Sequence, residues 1–157
     1  MRLESGAGAG QALARLLRFH YLVVVLVAAC GVLVWVPAPA LAGRVAAPGI
    51  VLCALYVWHI AGLQLLRQAS EGEGEHRLPG LLLFLALPLG LAALAPLLAP
   101  LAGLLLLLAA VVLLYQPERA PSLAAGWPGA WTRSRYQQTQ LLAVALVSMA
   151  VHVWYGG

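Results

Sequence analysis

Lysine, aspartate and asparagine are absent from this chain; all nine basic residues are arginine and all five acids are glutamate. Charge of either sign is scarce, at 9% of 157 residues, where an ordinary soluble domain carries about a quarter. A soluble protein this small leaves a large fraction of its surface in water, and a chain that is 63% hydrophobic could not hide its apolar side chains from it. Lipid is therefore the solvent for most of the molecule. The use of arginine without lysine, beside an excess of Ala, Leu, Gly and Pro, matches a GC-rich bacterial coding bias.

Further absences narrow the function. The net charge of +4 is spread over several short segments, so the concentrated basic face of a nucleic-acid binder is missing. The two cysteines, Cys30 and Cys53, both lie in apolar stretches; they form neither a disulfide framework nor a zinc spacing and are expected to pack as small hydrophobes. There is no nucleotide loop, HExxH, GxSxG or CxxC. No Asp, Glu or Lys interrupts an apolar stretch, and Arg18 alone sits at the edge of one. Ion-coupled transport generally needs a buried carboxylate, and acid–base catalysis a positioned titratable pair. The apolar stretches offer neither, and the sequence gives no ground for expecting an enzyme, a bound metal or a resident cofactor.

What the chain does have is five apolar stretches. A helix crossing the hydrocarbon needs about 20 apolar residues, and the predicted spans are 16–36, 45–66, 80–95, 101–115 and 139–155. The first ends at Trp35 before Pro37, and the second carries Pro48 and Gly49 in its expected first turn, where proline is tolerated. Leu81 to Tyr115 is too long for one span, and Pro96 and Pro100 lie near its middle, each able to break a helix. This predicts a hairpin of two short helices, each about 22 to 24 Å long at the helical rise; a re-entrant hairpin is the competing geometry. Glu71, Glu73, Glu75 and His76 form a solvated loop, and Gln116 to Gln138 a polar, turn-rich one. The expected fold is an all-α integral membrane protein, a single polytopic domain of five transmembrane helices over residues 1–157.

Charge orients the bundle. If the hairpin returns to its starting side, eight arginines lie on the side of the N-terminus and only Arg44 on the other; a single crossing would split them five and four. Short loops keep positive charge cytoplasmic, so the N-terminus is expected inside the cell and the C-terminus outside. The aromatic residues agree: Tyr115, Trp127, Trp131 and Tyr136 fall at the inner boundary, and Trp35, Trp154 and Tyr155 at the outer one, where amphipathic rings favour the headgroup level. Trp58 is the exception, inside the second span. Two processing patterns compete with the first span: Ala40-Leu41-Ala42 resembles a signal-peptidase site, and Val27-Ala28-Ala29-Cys30 a lipobox. The apolar run is long for a signal h-region, so the first span is expected to be retained.

The polar residues within spans are few: His20, His59, His152, Gln64 and Ser148. By the helical rise, His20 and His59 lie about 6 and about 10 Å inside the same boundary. Histidines on two helices at similar depth can ligate a haem b iron or hydrogen-bond a quinone, and His20/His59 is the one pair of that kind. Against it stands the plainer reading of an interfacial histidine and a helix-to-helix hydrogen bond. Small residues four apart, Ala86/Gly90 and Ala99/Gly103, could let helices approach, though alanine is so common here that the spacing carries little. The leading functional expectation is a non-catalytic accessory or scaffold subunit of a larger complex in the bacterial inner membrane, its partners being lipid and other membrane subunits. The alternatives are a small haem- or quinone-binding redox anchor through His20 and His59, and a channel or carrier for a small solute.

Overall fold

The computed structural model describes residues 4–36, 41–70, 78–119 and 129–156. The described residues form five long helices: α1 (Glu4–Leu33), α2 (Ala42–Ser70), α3 (Leu78–Leu94), α4 (Pro100–Arg119) and α5 (Gly129–Gly156). Three carry stretches long and apolar enough to cross a membrane, Ala14–Leu33, Ala42–Leu66 and Gly129–Tyr155. Phe84–Leu97 and Pro100–Gln116 are shorter apolar segments. This pattern points to a membrane protein.

The prolines act where the sequence places them. α3 stops at Leu94, a single 3₁₀ turn occupies Ala95–Leu97 with Pro96 in it, Leu98 is extended, and Pro100 opens α4. Proline lacks the N–H that an ongoing helix would use, and at a helix start that N–H has no partner to lose. At about 1.5 Å per residue α3 runs about 26 Å and α4 about 30 Å. Both exceed the sequence estimate because each gains a few residues at the end away from the turn.

Two boundaries depart further from expectation. α2 starts at Ala42, so Pro48 falls inside the helix rather than in its first turn, and Pro88 is likewise inside α3. Such prolines are tolerated in membrane helices because neighbouring groups satisfy the freed carbonyls. α5 starts at Gly129, well before the predicted Thr139, and takes in residues assigned to a loop from their polarity. The Glu71–His76 loop and Trp127 lie outside the described residues.

α2 sits at the centre and packs against all four other helices. The others form an arc around it in the order α1, α5, α4, α3, open between α3 and α1; α3 touches only α2 and α4. Between helices in lipid there is little hydrophobic drive, so close packing and hydrogen bonds carry the association. Two glycines show how close it is. A Cβ on Gly31 of α1 would lie 3.2 Å from the Ala145 backbone of α5. One on Gly103 of α4 would fall 2.5 Å from the Ala95 carbonyl oxygen, so only glycine lets α4 fold back against the 3₁₀ turn. The predicted spacing at Ala99/Gly103 thus marks a real contact, whereas a Cβ on Gly90 would meet nothing within 4 Å.

Candidate functional site

α1, α2 and α5 meet in a polar cluster in the half of the bundle nearest the start of α1. The first third of α5 is rich in hydrogen-bonding side chains because α1 and α2 hold matching tyrosines. Tyr21 of α1 donates to Gln137 Oε1 at 2.6 Å. Tyr56 of α2 donates to Gln138 Oε1 at 2.7 Å, and Gln138 Nε2 donates in turn to Ser134 Oγ at 3.0 Å. Arg135 donates through Nη1 to the Tyr56 hydroxyl. Arg135 is 1% exposed, and a buried guanidinium is costly in lipid unless it faces the bundle and is hydrogen-bonded. It meets both conditions, about 9 Å from the start of α5 at the helical rise.

The structure brings the predicted pair together on the rim of this cluster. The rings of His20 and His59 meet edge to face with centroids 5.1 Å apart. Tyr56 and Trp131 also stand edge-on to His20, at 6.0 and 5.7 Å. Beside them a groove of about 470 Å³ opens between α1 and α2. Leu22, Leu26, Leu52 and Leu55 line its length, while His20, Tyr56 and His59 supply its polar end.

The three polar groups are not equivalent. The Tyr56 hydroxyl is already engaged, accepting from Arg135 and donating to Gln138. His20 is fully buried, yet neither Nδ1 nor Nε2 has a hydrogen-bond partner. A neutral imidazole has one donor and one acceptor nitrogen, and burying both without partners costs free energy. His20 is thus the group with hydrogen-bonding capacity to spare, and the more exposed His59 stands beside it.

This geometry separates the two ligands raised by the sequence. A bis-histidine haem places the macrocycle between the imidazoles, with nitrogen about 2 Å from the metal and ring centroids about 6 Å apart across it. Here the two rings touch each other, so haem would require α1 and α2 to part. A planar quinone needs only hydrogen-bond donors at its carbonyls and an apolar path for its tail. Its headgroup suits a cavity within the usual range for small ligands, about 300 to 1,000 Å³.

The remaining sequence candidates lie elsewhere. At the opposite end, His152 stacks obliquely on Trp35 with centroids 4.5 Å apart. Trp35 donates to Ser148 Oγ at 2.9 Å, which donates to the Gly31 carbonyl at 3.1 Å. Gln64 is buried at 5% exposure in α2. Cys30 and Cys53 are both free thiols, and Cys30 packs against Gly49, where an added Cβ would lie 3.1 Å from its own Cβ. Among the described residues no group of three or more His, Cys, Asp or Glu could hold a metal ion. Sequence reasoning missed Tyr56, Trp131, Arg135 and Gln138. Arg135 was counted as topological loop charge, and the one available signal was the run of hydrogen-bonding residues from Thr132 to Gln140 directly ahead of an apolar segment. Comparison with known proteins gives no match to a family model, a curated protein or a solved structure.

Proposed function

We propose that this is a multi-pass membrane protein of the bacterial inner membrane that binds a lipid-soluble quinone laterally, between α1 and α2. The observation that carries this reading is His20: fully buried, with both ring nitrogens unpartnered, on the wall of a groove lined beyond its polar end by Phe19, Val23 and four leucines. In this reading His20 and His59 hydrogen-bond a quinone carbonyl, and the leucines take the first part of the isoprenoid tail. Arg135 holds a fixed positive charge behind the Tyr56 wall, which favours electron density on a bound headgroup. In this reading the chain crosses five times, with its N-terminus and the His20/His59 site on the cytoplasmic side, which the arginine distribution favours.

The test is quinone content after gentle extraction, measured by mass spectrometry of the organic extract. The expected result is a near-stoichiometric quinone in the unaltered protein and loss of most of it in His20→Leu and His59→Leu variants that keep their helicity. Trp131, in ring contact with His20, supplies an independent readout: a short-chain quinone added to stripped protein should quench its fluorescence, and less so after His20→Leu. A protein that neither retains a quinone nor is quenched by one refutes the proposal.

A scaffold role in a larger assembly is favoured by a separate observation. Trp58 is 51% exposed on the outward face of α2, about 12 Å from the end of the apolar segment at Leu66, away from the headgroup level where an indole N–H finds partners. A neighbouring subunit would cover it. Native mass in the source membrane tests this: other polypeptides in fixed ratio support the subunit role, and a bare chain or homo-oligomer removes it.

A further inference from the structure

The polar first third of α5 has three faces. Gln137 bonds α1 through Tyr21, and Arg135 and Gln138 bond α2 through Tyr56. The third face, toward α4, carries Tyr136, Thr139 and Gln140, and there a cavity of about 480 Å³ opens against Val112, Tyr115 and Gln116. Thr139 is 5% exposed and its Oγ1 has no hydrogen-bond partner, although it lines this cavity. A threonine in an apolar helix ordinarily returns its hydroxyl to the carbonyl one turn back. This one does not, and a buried polar atom without a partner beside an open cavity marks a place for a ligand's hydrogen bond.

The lining defines the ligand. Phenols, amides and a hydroxyl both donate and accept, and among the described residues no charged side chain lines the cavity. Phosphate recognition draws on arginine or lysine, so this set suits uncharged hydroxyl groups. Depth defines it further. α5 spans 28 residues, about 42 Å, and overhangs a hydrocarbon core of about 30 Å by about 12 Å; Tyr136 to Gln140 lie about 10 to 16 Å from its start, so with the overhang at that end the cavity lies within a turn of the headgroup boundary. Along the same α4/α5 seam lies an apolar hollow of about 360 Å³, bordered by Leu104, Leu108 and Leu146. Leu104 is about 18 Å along α4 from Gln116, about the depth of one leaflet.

We infer that the α4/α5 seam is a lipid site that selects an uncharged polyol headgroup, glycerol or sugar, through Thr139, Gln140 and Gln116, with an acyl chain reaching the hollow beside Leu104. The site is separate from the α1/α2 groove and does not depend on it. The experiment places the full chain in phosphatidylcholine nanodiscs doped with equal minor amounts of diacylglycerol, monoglucosyl-diacylglycerol and phosphatidylglycerol, and reads bound lipid by native mass spectrometry. One of the two uncharged polyol lipids should be enriched about fivefold over its bulk share, as one or two hydrogen bonds in lipid would give. Enrichment should fall to the bulk share in Thr139→Val and Gln140→Leu, and in Gln116→Leu, whose position at the exposed rim spares the packing. Equal enrichment in all three variants, preference for phosphatidylglycerol, or no enrichment overturns the inference.

Discussion

Arg135 and Tyr56 offer the sharpest test of how this bundle is held together. Removing the Tyr56 hydroxyl with Tyr56→Phe takes the acceptor from a buried guanidinium N–H and the donor from Gln138 Oε1. In water-soluble proteins a hydrogen bond to a charged group is worth about 1.5 to 3 kcal/mol. Interhelical bonds in lipid average about 0.6 and reach about 1.7 kcal/mol, because the dissociated helices find other partners. A charge-assisted bond belongs at the upper end of that range, so with the weaker Gln138 bond Tyr56→Phe should cost about 2 kcal/mol. Arg135→Met removes the charge together with its desolvation cost, and replacing a buried ion with an apolar side chain of similar volume is often close to neutral. Once Arg135 is gone, Tyr56→Phe no longer strips a guanidinium of its acceptor, and its cost should fall below about 1 kcal/mol. The coupling is then about 1.4 kcal/mol, tenfold in the folding equilibrium. Reversible unfolding by sodium dodecyl sulfate in mixed micelles, followed by circular dichroism, measures all four proteins of the cycle. If Tyr56→Phe costs the same in both backgrounds to within about 0.3 kcal/mol, the two sites are additive and the Arg135–Tyr56 bond contributes nothing.

Three further substitutions probe the packing and its hydrogen bonds. Gly103→Ala should lower stability by about 1 to 3 kcal/mol, the usual cost of overpacking, because its Cβ meets the Ala95 carbonyl at 2.5 Å; Gly90→Ala, in open space, should be neutral or stabilising by up to about 1 kcal/mol. The same unfolding assay compares them, and equal behaviour would contradict the tight α4 turn. Ser148→Ala removes the oxygen that Trp35 Nε1 bonds and should cost about 0.6 to 1.7 kcal/mol. It should also shift Trp35 emission, an unchanged spectrum being the result against it.

The apolar helices were legible in the sequence because apolar length and proline position are local signals. α1, α2 and the Pro96/Pro100 hairpin emerge from them directly. The start of α5 did not, since Thr132 to Gln138 read as loop by polarity alone. Their helical state, with Ser134, Arg135 and Gln138 buried, goes with bonds to Tyr21 and Tyr56, which lie 116 and 82 residues away from the glutamines they bond. No local window contains that information. The His20/His59 pair was legible because similar depth on consecutive antiparallel helices favours proximity. The open groove beside it was not, since its shape depends on how Leu22, Leu26, Leu52 and Leu55 pack.

The arrangement of α5 has a consequence for biosynthesis. Its apolar stretch has a mean hydropathy of 1.2 against 2.2 for that of α1, and it brings Arg135 with it, so it is the least willing of the three long helices to leave the translocon for lipid. Its neighbours α1 and α4 flank it on either side of α2, and both emerge from the ribosome before it. The nascent α1–α4 assembly therefore has an open flank, with Tyr21, Tyr56 and the Gly31 surface facing lipid or a chaperone. Insertion of α5 is therefore expected to depend on the helices before it, whose tyrosines supply the hydrogen bonds that compensate for its lower hydropathy.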